Sequence, residues 1–158
     1  MKKNLTYTMT LFLGLLLSSA GCNPQDSPVT KADFYGTWKW TDPNDASIWC
    51  KLIIDLDNFT FEDCWNSPAA VIENLTWTSI TNPAGSFKDS HPTGYSVLGT
   101  LTVRNGYYPL KPDGSGDGAA VGEEAIVWLY LSTDKKSICD NSNQSPDHKA
   151  DFGPFIKQ

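Results

Sequence analysis

Short runs of alternating apolar and polar residues follow one another along most of the chain. The alternation is cleanest over 94–104, where Tyr95 and Val97 flank the polar Ser96. A two-residue period places successive side chains on opposite faces of a strand, so it predicts a strand with one buried face. Glycine, proline, asparagine and aspartate separate the runs. The pattern predicts short strands over about 35–41, 48–56, 59–65, 71–80, 94–104, 107–110, 121–131, 137–139 and 152–156.

One run, 121–131, is apolar on both predicted faces. Such a run suits a buried helix or a buried strand, and its β-branched and aromatic residues favour the strand. We see no convincing amphipathic helix in the sequence. We therefore predict an all-β fold, a single antiparallel up-and-down β-barrel of about eight strands, whose closure removes exposed strand edges. A β-sandwich is the alternative, because it gives the same strand signals.

The pair Asp57-Asn58 separates two of the runs and is predicted to form a two-residue turn. That turn places Leu56 opposite Phe59 and Ile54 opposite Phe61. The apolar faces of the two strands then coincide, as a half-buried hairpin requires.

The segment Asp33–Trp40 leads into the first predicted strand. Gly36 allows tight packing or a positive φ at this entry, and Trp38 is predicted to plug the end of the core. The triplet Gly36-Thr37-Trp38 resembles the Gly-x-Trp signature that opens the first strand of lipocalins and related calycin barrels. The resemblance is residue-specific only over Asp33–Trp40, while the strand pattern extends it over the whole domain.

The resemblance implies a cup that holds a small hydrophobic or amphipathic molecule. An eight-stranded barrel has an interior that is filled by side chains or that just admits one small ligand. Four aromatic residues are predicted to face inward and to give a ligand flat apolar contacts with one polar atom each: Trp40, Trp77, Tyr95 and Trp128. The alternative is that they simply fill the barrel.

The first 21 residues have the features of an export signal: Lys2-Lys3, the apolar run Leu11–Leu17 and small residues before Cys22. The apolar run is too short for a permanent transmembrane helix of about 20 residues. The ending Ala20-Gly21-Cys22 resembles the lipobox of bacterial lipoproteins, which implies a palmitate-type lipid on Cys22. Cleavage by ordinary signal peptidase is the alternative.

The sequence thus divides into a signal peptide at 1–21, a flexible tether at 22–31 and a barrel domain at 32–158. We expect a lipid-anchored protein of the bacterial cell envelope, at the outer membrane or cell surface, with the open end of the barrel held near the membrane. The net charge of −6 and the pI of about 4.7 argue against a nucleic-acid partner.

Three further cysteines follow Cys22: Cys50, Cys64 and Cys139. Outside the cytoplasm we expect one disulfide and one free thiol, with the pairing left open. The predicted hairpin register places Cys50 opposite Trp65 and Cys64 on the other face, which disfavours a bridge between these two. Either one could instead pair with Cys139.

The loop that begins at Asp113 matches a calcium-loop pattern, with candidate oxygen ligands at Asp113, Ser115, Asp117 and Glu124. The flanking sequence does not predict the helices of an EF-hand, so a flexible glycine-rich loop is the alternative. His91 and His148 lie in polar segments and are predicted to be exposed.

We find no nucleophile elbow, phosphate loop or zinc-protease motif, and predict that the protein is not an enzyme. The competing prediction for function is a filled barrel that acts through its loops as an adhesin, an inhibitor or an assembly partner. The loops would then be 82–93, 111–118 and 140–151.

Overall fold

The computed structural model describes residues 28–81, 87, 89–107, 109–113, 118–140 and 152–158. Eight strands form a closed barrel in sequence order, and each strand is antiparallel to its neighbours. This confirms the prediction of an all-β up-and-down barrel. A 3₁₀ helix, Lys31–Phe34, precedes the strands, which are β1 Gly36–Thr41, β2 Trp49–Ile54, β3 Asn58–Asp63, β4 Ala70–Thr81, β5 Thr93–Arg104, β6 Glu124–Leu131, β7 Ser137–Asp140 and β8 Phe152–Lys157.

The register of the β2–β3 hairpin differs by two residues from the prediction, because Ile54 lies opposite Phe59. The Asp55 carboxylate accepts hydrogen bonds from the backbone N–H groups of Asp57 and Asn58, at 2.9 and 2.8 Å. These bonds move the turn toward β2, and Asn58 becomes the first residue of β3. A shift of two residues leaves every side chain on its predicted face, so the two apolar faces still coincide.

The predicted strand at 107–110 is not a barrel strand. In its described part, Leu110 forms one isolated bridge to Ile126, on the outside of β6. The neighbouring Pro109 has no N–H group to donate to a ladder. Leu110 therefore covers the outer face of β6, whereas the Tyr107 ring stacks on Phe61 of the core at 4.2 Å.

The inner faces of the strands enclose one continuous apolar core. Its largest fully buried side chains include Trp38 from β1 and Phe34 from the 3₁₀ helix. The other buried members are Leu52, Ile54, Phe59, Phe61, Ala69, Ala70, Ile72, Val97, Leu101, Ala119, Ala125, Val127, Leu129, Leu131, Ile138 and Phe155. Side chains from all eight strands thus occupy the described interior.

A second apolar cluster lies outside the barrel wall. It contains Trp128 and Tyr130 of β6, Cys139 of β7 and the covering residue Leu110. The alternate residues of β6, such as Val127, belong to the inner core. This arrangement explains why β6 is apolar on both faces, and it confirms the prediction of a buried strand there.

The 3₁₀ helix packs at the end of the barrel where β1 begins. The Trp38 indole N–H donates a buried hydrogen bond of 2.7 Å to the Phe34 carbonyl, and the Lys157 ammonium lies 4.9 Å from the Trp38 ring. Gly36, which lies between Phe34 and Trp38 in the sequence, adopts a φ of 126°, a conformation that favours glycine. The predicted roles of Gly36 and Trp38 are therefore confirmed, and we call this end of the barrel the closed end.

Candidate functional site

Two of the four predicted ligand-binding aromatics meet at the closed end. The Trp77 and Tyr95 rings lie 5.7 Å apart in an edge-to-face arrangement. Phe34 contacts both, with ring centroids 6.1 Å from Trp77 and 5.5 Å from Tyr95, and Tyr35 lies 6.0 Å from Trp77. Such packing suits aromatic quadrupoles. These residues therefore seal the closed end together with the 3₁₀ helix.

The closed end also buries two polar atoms. The Tyr35 hydroxyl and the Trp77 indole nitrogen have no hydrogen-bond partner among the described residues. Burial raises the pKa of Tyr35, and the neighbouring Asp57 and Asp55 charges raise it further. Tyr35 is consequently a neutral hydroxyl that keeps its capacity to donate and to accept a hydrogen bond.

Trp40 lies farther along β1, toward the opposite end of the barrel, and borders an open groove. The groove lies beside the short ladder between β1 and β8, which comprises the pairs Trp38–Lys157 and Lys39–Ile156. Pro154, two residues before Ile156, has no backbone N–H group with which to extend that ladder. The resulting seam groove has a volume of about 640 Å³ and is lined by Lys39, Trp40, Thr41, Pro43, Gly153, Pro154, Ile156 and Gln158.

The seam groove combines apolar surface with one positive charge. Trp40, Pro154 and Ile156 supply apolar surface, and Ile156 is 49% exposed. Lys39 is the one charged side chain among the described lining residues. Its ammonium group lies 5.7 Å from the centroid of the Trp49 ring. The groove therefore offers apolar contacts beside a cation, a combination suited to an amphipathic molecule.

The neighbouring Lys51 is engaged differently. Its ammonium lies 4.8 Å from the same Trp49 ring and 3.0 Å from the Glu62 carboxylate. The hydrogen bond from Lys51 lowers the pKa of Glu62, against the opposing effect of burial. No comparable ion pair of Lys39 occurs within the described ranges of the chain. Lys39 thus borders the groove, while its ammonium group lies against Trp49 of β2.

Trp128 does not join the other predicted ligand-binding residues. Within β6, Val127 and Leu129 belong to the inner core, whereas Trp128 packs with Leu110 and Tyr130 on the outside. The prediction that Trp128 faces the barrel interior is therefore wrong. The reason is that Leu110 covers the outer face of β6, so both faces of the strand carry buried apolar residues and the sequence pattern does not show which face is inside.

Part of the predicted calcium site can be located. Asp113 and Glu124 border one surface depression of about 370 Å³, together with Lys111, Pro112 and Glu123. Glu123, which the sequence pattern did not select, forms a 3.0 Å ion pair with Lys111. Ser115 and Asp117 lie outside the described residues. Among the residues that are described, no group of three or more histidine, cysteine or acidic side chains could hold a metal.

His91 is not exposed as predicted but buried, with 4% of its surface accessible. Its ring nitrogens lie within hydrogen-bond distance of Ser90 Oγ, at 2.9 Å, and Ser137 Oγ, at 3.0 Å. The Phe87 ring packs against it edge to face at 5.6 Å. Burial lowers the pKa of His91, with Asp134 opposing the shift. His91 joins the segment before β5 to β7, and His148 lies outside the described residues.

Cys50, Cys64 and Cys139 are all free thiols. The expected disulfide among these three is therefore absent. Cys50 lies opposite Asp63 in the β2–β3 ladder, and Cys139 is buried in the outer cluster. Burial raises the pKa of both Cys50 and Cys139 to about 12, so neither carries an activated thiolate.

The N-terminal predictions concern residues 1–27, including Cys22, which lie outside the described ranges. The described chain begins at Pro28, and Val29 already packs against the barrel core. The packed domain thus includes residues that the sequence assigned to the tether. In the parts of the chain that are described, no helix has the length and apolar character needed to span a membrane.

The chain matches no protein-family model, and it matches no curated protein and no solved structure. The functional proposal therefore depends on the barrel, the seam groove and the N-terminal sequence features.

Proposed function

We propose that this protein is a lipid-anchored barrel of the bacterial cell envelope that binds a small hydrophobic or amphipathic ligand. The observation that carries the proposal is the seam groove between β1 and β8. The lipocalin-like signature at Gly36 and Trp38 supports it. The proposal contains no catalytic step and needs no cofactor.

The groove is a better candidate than the barrel interior. The described interior is filled by packed side chains, and Trp77 and Tyr95 are engaged by Phe34 and Tyr35. The groove, of about 640 Å³, is open along the side of the barrel, so a ligand could enter it without displacing core side chains. Each Å² of apolar surface that a ligand buries there contributes about 25 cal/mol at most.

In this proposal the lipid on Cys22 holds the closed end toward the membrane, the reverse of the orientation expected from the sequence. The chain enters the barrel at the closed end, through Val29 and the 3₁₀ helix. The Lys135 ammonium fixes this entry by a 3.2 Å ion pair with Asp33. The segment from Cys22 to Pro28 spans at most about 20 Å, so in this proposal the closed end lies near the bilayer and the groove runs along the side of the barrel.

The test uses residues 28–158, because all eight strands and the 3₁₀ helix lie within them. Native mass spectrometry of this domain, purified without denaturation, should show a bound mass that leaves on unfolding. Ile156→Glu should abolish the bound mass, since Ile156 lines the groove and is exposed enough to tolerate the change. Ile53→Glu is the matched control, because Ile53 is 36% exposed and lies outside the described groove lining.

A bound mass that survives Ile156→Glu and leaves with Ile53→Glu would contradict the groove assignment. Absence of any bound mass, together with no binding of added long-chain amphiphiles, would contradict the proposed function itself.

The second candidate is a filled barrel that acts through its surface as an adhesin, an inhibitor or an assembly partner. Trp65 favours it, because this side chain is 74% exposed on the turn between β3 and β4. The Asp63 carboxylate holds that turn by accepting the N–H groups of Trp65 and Asn66, at 2.8 and 2.6 Å. An exposed tryptophan on an ordered turn is a suitable anchor for a partner surface.

The two candidates differ in the variant that removes function. The surface candidate requires binding of the labelled barrel to intact cells to be lost in Trp65→Ala and kept in Ile156→Glu. Cell binding that is unchanged in Trp65→Ala contradicts the surface candidate.

A further inference from the structure

We propose that the protein forms a two-fold symmetric dimer in which residues 76–81 of β4 pair antiparallel with the same residues of a second copy. We call the side of these residues that faces β3 the free edge. The inference goes beyond the proposed function, because β4 lies across the barrel from the seam between β1 and β8.

The free edge exists because β4 is longer than its neighbour β3. The ladder between them ends at the pair Asn58–Glu73, since Asn58 is the first residue of β3. β4 continues to Thr81, and over 76–81 its described ladder partner is β5 alone. On the side toward β3, the backbone N–H and C=O groups of this stretch therefore have no ladder partner within the described chain.

The free edge is accessible and regular. Thr76, Thr78, Ser79 and Thr81 are all exposed. The irregularity of the β4–β5 ladder comes before Thr76, and the residues from there to Thr81 pair with β5 without a further shift. An exposed edge of this kind is a template for one more strand.

The residues of the free edge also lack the usual protection against pairing. Exposed edge strands commonly carry a lysine, a proline or an inward charge that keeps another chain away. Residues 76–81 read Thr-Trp-Thr-Ser-Ile-Thr and contain none of these, although the chain as a whole has a net charge of −6. Their β-branched and aromatic side chains favour a strand. A second copy can therefore approach this edge without a like charge opposing it from these residues.

The edge is complementary to itself when two copies run antiparallel. Directly opposite residues of an antiparallel pair lie on the same face. A two-fold axis through Thr78 therefore places Trp77 beside Ser79 of the second copy, and Thr76 beside its Ile80. Trp77 packs on the inner core and Ile80 on the outer cluster, so each sheet face continues into the same face of the other copy. Self-complementary pairing of this kind is typical of protein dimers, and a second copy is the occupant that we infer.

The lipid anchor of the proposed function would strengthen such a contact. Pairing along one short edge buries less surface than a standard interface of about 1,600 Å², so the dimer should dissociate on dilution. Antiparallel pairing brings the two closed ends together, and with them both chain entries. The lipids of both copies can then enter one bilayer, where anchoring raises the effective concentration.

The first measurement is sedimentation equilibrium of residues 28–158 over a series of concentrations. The average mass should rise from that of one copy toward twice that value. Hydrogen exchange with mass spectrometry then locates the contact. Amides of 76–81 should gain protection in the concentrated sample, whereas those of β2, which is paired on both edges, should not change.

Variants at Thr78 test the symmetry of the pairing. Thr78→Lys and Thr78→Glu should each remain monomeric, because the two-fold axis brings like charges together. An equal mixture of the two variants should recover the dimer mass, since opposite charges then meet. Ile53→Lys is the matched control, because it adds a charge at an exposed residue of a strand that is paired on both edges, and it should dimerise like the unaltered domain. Urea unfolding checks that each variant is folded, and Thr76→Lys replaces Thr78→Lys if the latter is destabilised.

The inference is overturned if the mass stays that of one copy at every concentration, or if Thr78→Lys dimerises as well as Ile53→Lys. A mixture of the lysine and glutamate variants that stays monomeric would also overturn it, as would a dimer whose added protection lies outside 76–81. Protection of 76–81 in a monomer of residues 22–158 with Cys22→Ser, absent from residues 28–158, would assign the edge to the N-terminal segment instead. Ile156→Glu should leave the dimer intact, so this inference and the groove assignment fail independently.

Discussion

Trp38 illustrates how one residue holds the closed end together. Its ring is fully buried, its indole N–H donates to the Phe34 carbonyl at 2.7 Å, and the Lys157 ammonium lies 4.9 Å from its face. Trp38 therefore stabilises the closed end both through the buried apolar area of its ring and through the hydrogen bond of its indole N–H. The 3₁₀ helix depends on this tryptophan for its attachment to β1.

We predict that Trp38→Phe lowers the free energy of unfolding by about 1–3 kcal/mol, because the buried Phe34 carbonyl loses its donor. Trp38→Ala should cost about 3–5 kcal/mol, since a large cavity is added to that loss. Urea unfolding of residues 28–158 measures both. Thr37→Ala, on the neighbouring residue of β1, is the control. A cost of Trp38→Phe as small as that of the control would contradict the role of the indole hydrogen bond.

His91 makes stability dependent on pH through its burial. Its folded pKa is lowered, chiefly by desolvation, so the unfolded state binds a proton more readily than the folded state. The stabilising contribution of neutral His91 is fully present above the unfolded pKa of about 6.5. It is lost as pH falls through the lower folded pKa.

We therefore predict that the urea midpoint of the wild-type domain decreases between pH 7.5 and pH 5.5. His91→Gln, which keeps hydrogen-bonding groups near Ser90 and Ser137, should show a flatter dependence. The control is His148→Gln, which should keep the wild-type slope if His148 is exposed as the sequence predicts. Equal slopes in His91→Gln and the wild-type domain would show that other groups cause the effect.

At the scale of elements, the β4–β5 hairpin needs a glycine where its strands come closest. The ladder contains an irregularity between Glu73 and Thr76, and Asn74 adopts a φ of 59° there. A Cβ atom at Gly99 would lie 2.6 Å from the Glu73 carbonyl oxygen, which is closer than side chains tolerate. The strands can therefore bend at this point only because Gly99 has no side chain.

Gly99→Ala should consequently destabilise the barrel by about 1–3 kcal/mol, the usual cost of overpacking. Chemical denaturation measures the change, and Thr76→Ala on the same hairpin is the control because Thr76 is exposed. Unchanged stability of Gly99→Ala would mean that the hairpin can relax away from the added methyl group.

The alternating pattern predicts the strands well, because each strand has one face toward a common core. It fails at Trp128, whose outward direction depends on the distant Leu110 covering β6. The burial of His91 has the same origin, since Ser137 is far away in sequence. A local pattern gives the period of a strand, but not the segment that later covers its outer face.

At the scale of the whole molecule, the seam groove depends on how the first and last strands meet. The sequence identified Trp40 as a candidate for ligand binding, and Pro154 lies within the last predicted strand, 152–156. It did not predict that the two would border one groove. Their proximity follows from closure of the barrel, which joins β1 to β8 across almost the entire chain. Contacts of such long sequence separation leave no trace in local periodicity.

The orientation of the anchored molecule follows from the same closure. The turn that contains Leu56 lies at the closed end, next to the entry of the chain, and Trp65 lies on a turn at the opposite end. Both side chains are exposed, so each position accepts a probe. If a lipid on Cys22 holds the closed end near the membrane, a probe at position 56 must be closer to the bilayer than one at position 65.

We predict that, in the full chain with Cys64→Ser, a donor dye on Leu56→Cys transfers energy to a membrane-bound acceptor more efficiently than the same dye on Trp65→Cys. The physical reason is the short tether, of at most about 20 Å between Cys22 and Pro28. Cys22→Ser should move the protein from the membrane fraction to the soluble fraction and abolish both transfers. Higher transfer from position 65 would mean that the end opposite the closed end faces the bilayer, which would contradict the proposed orientation.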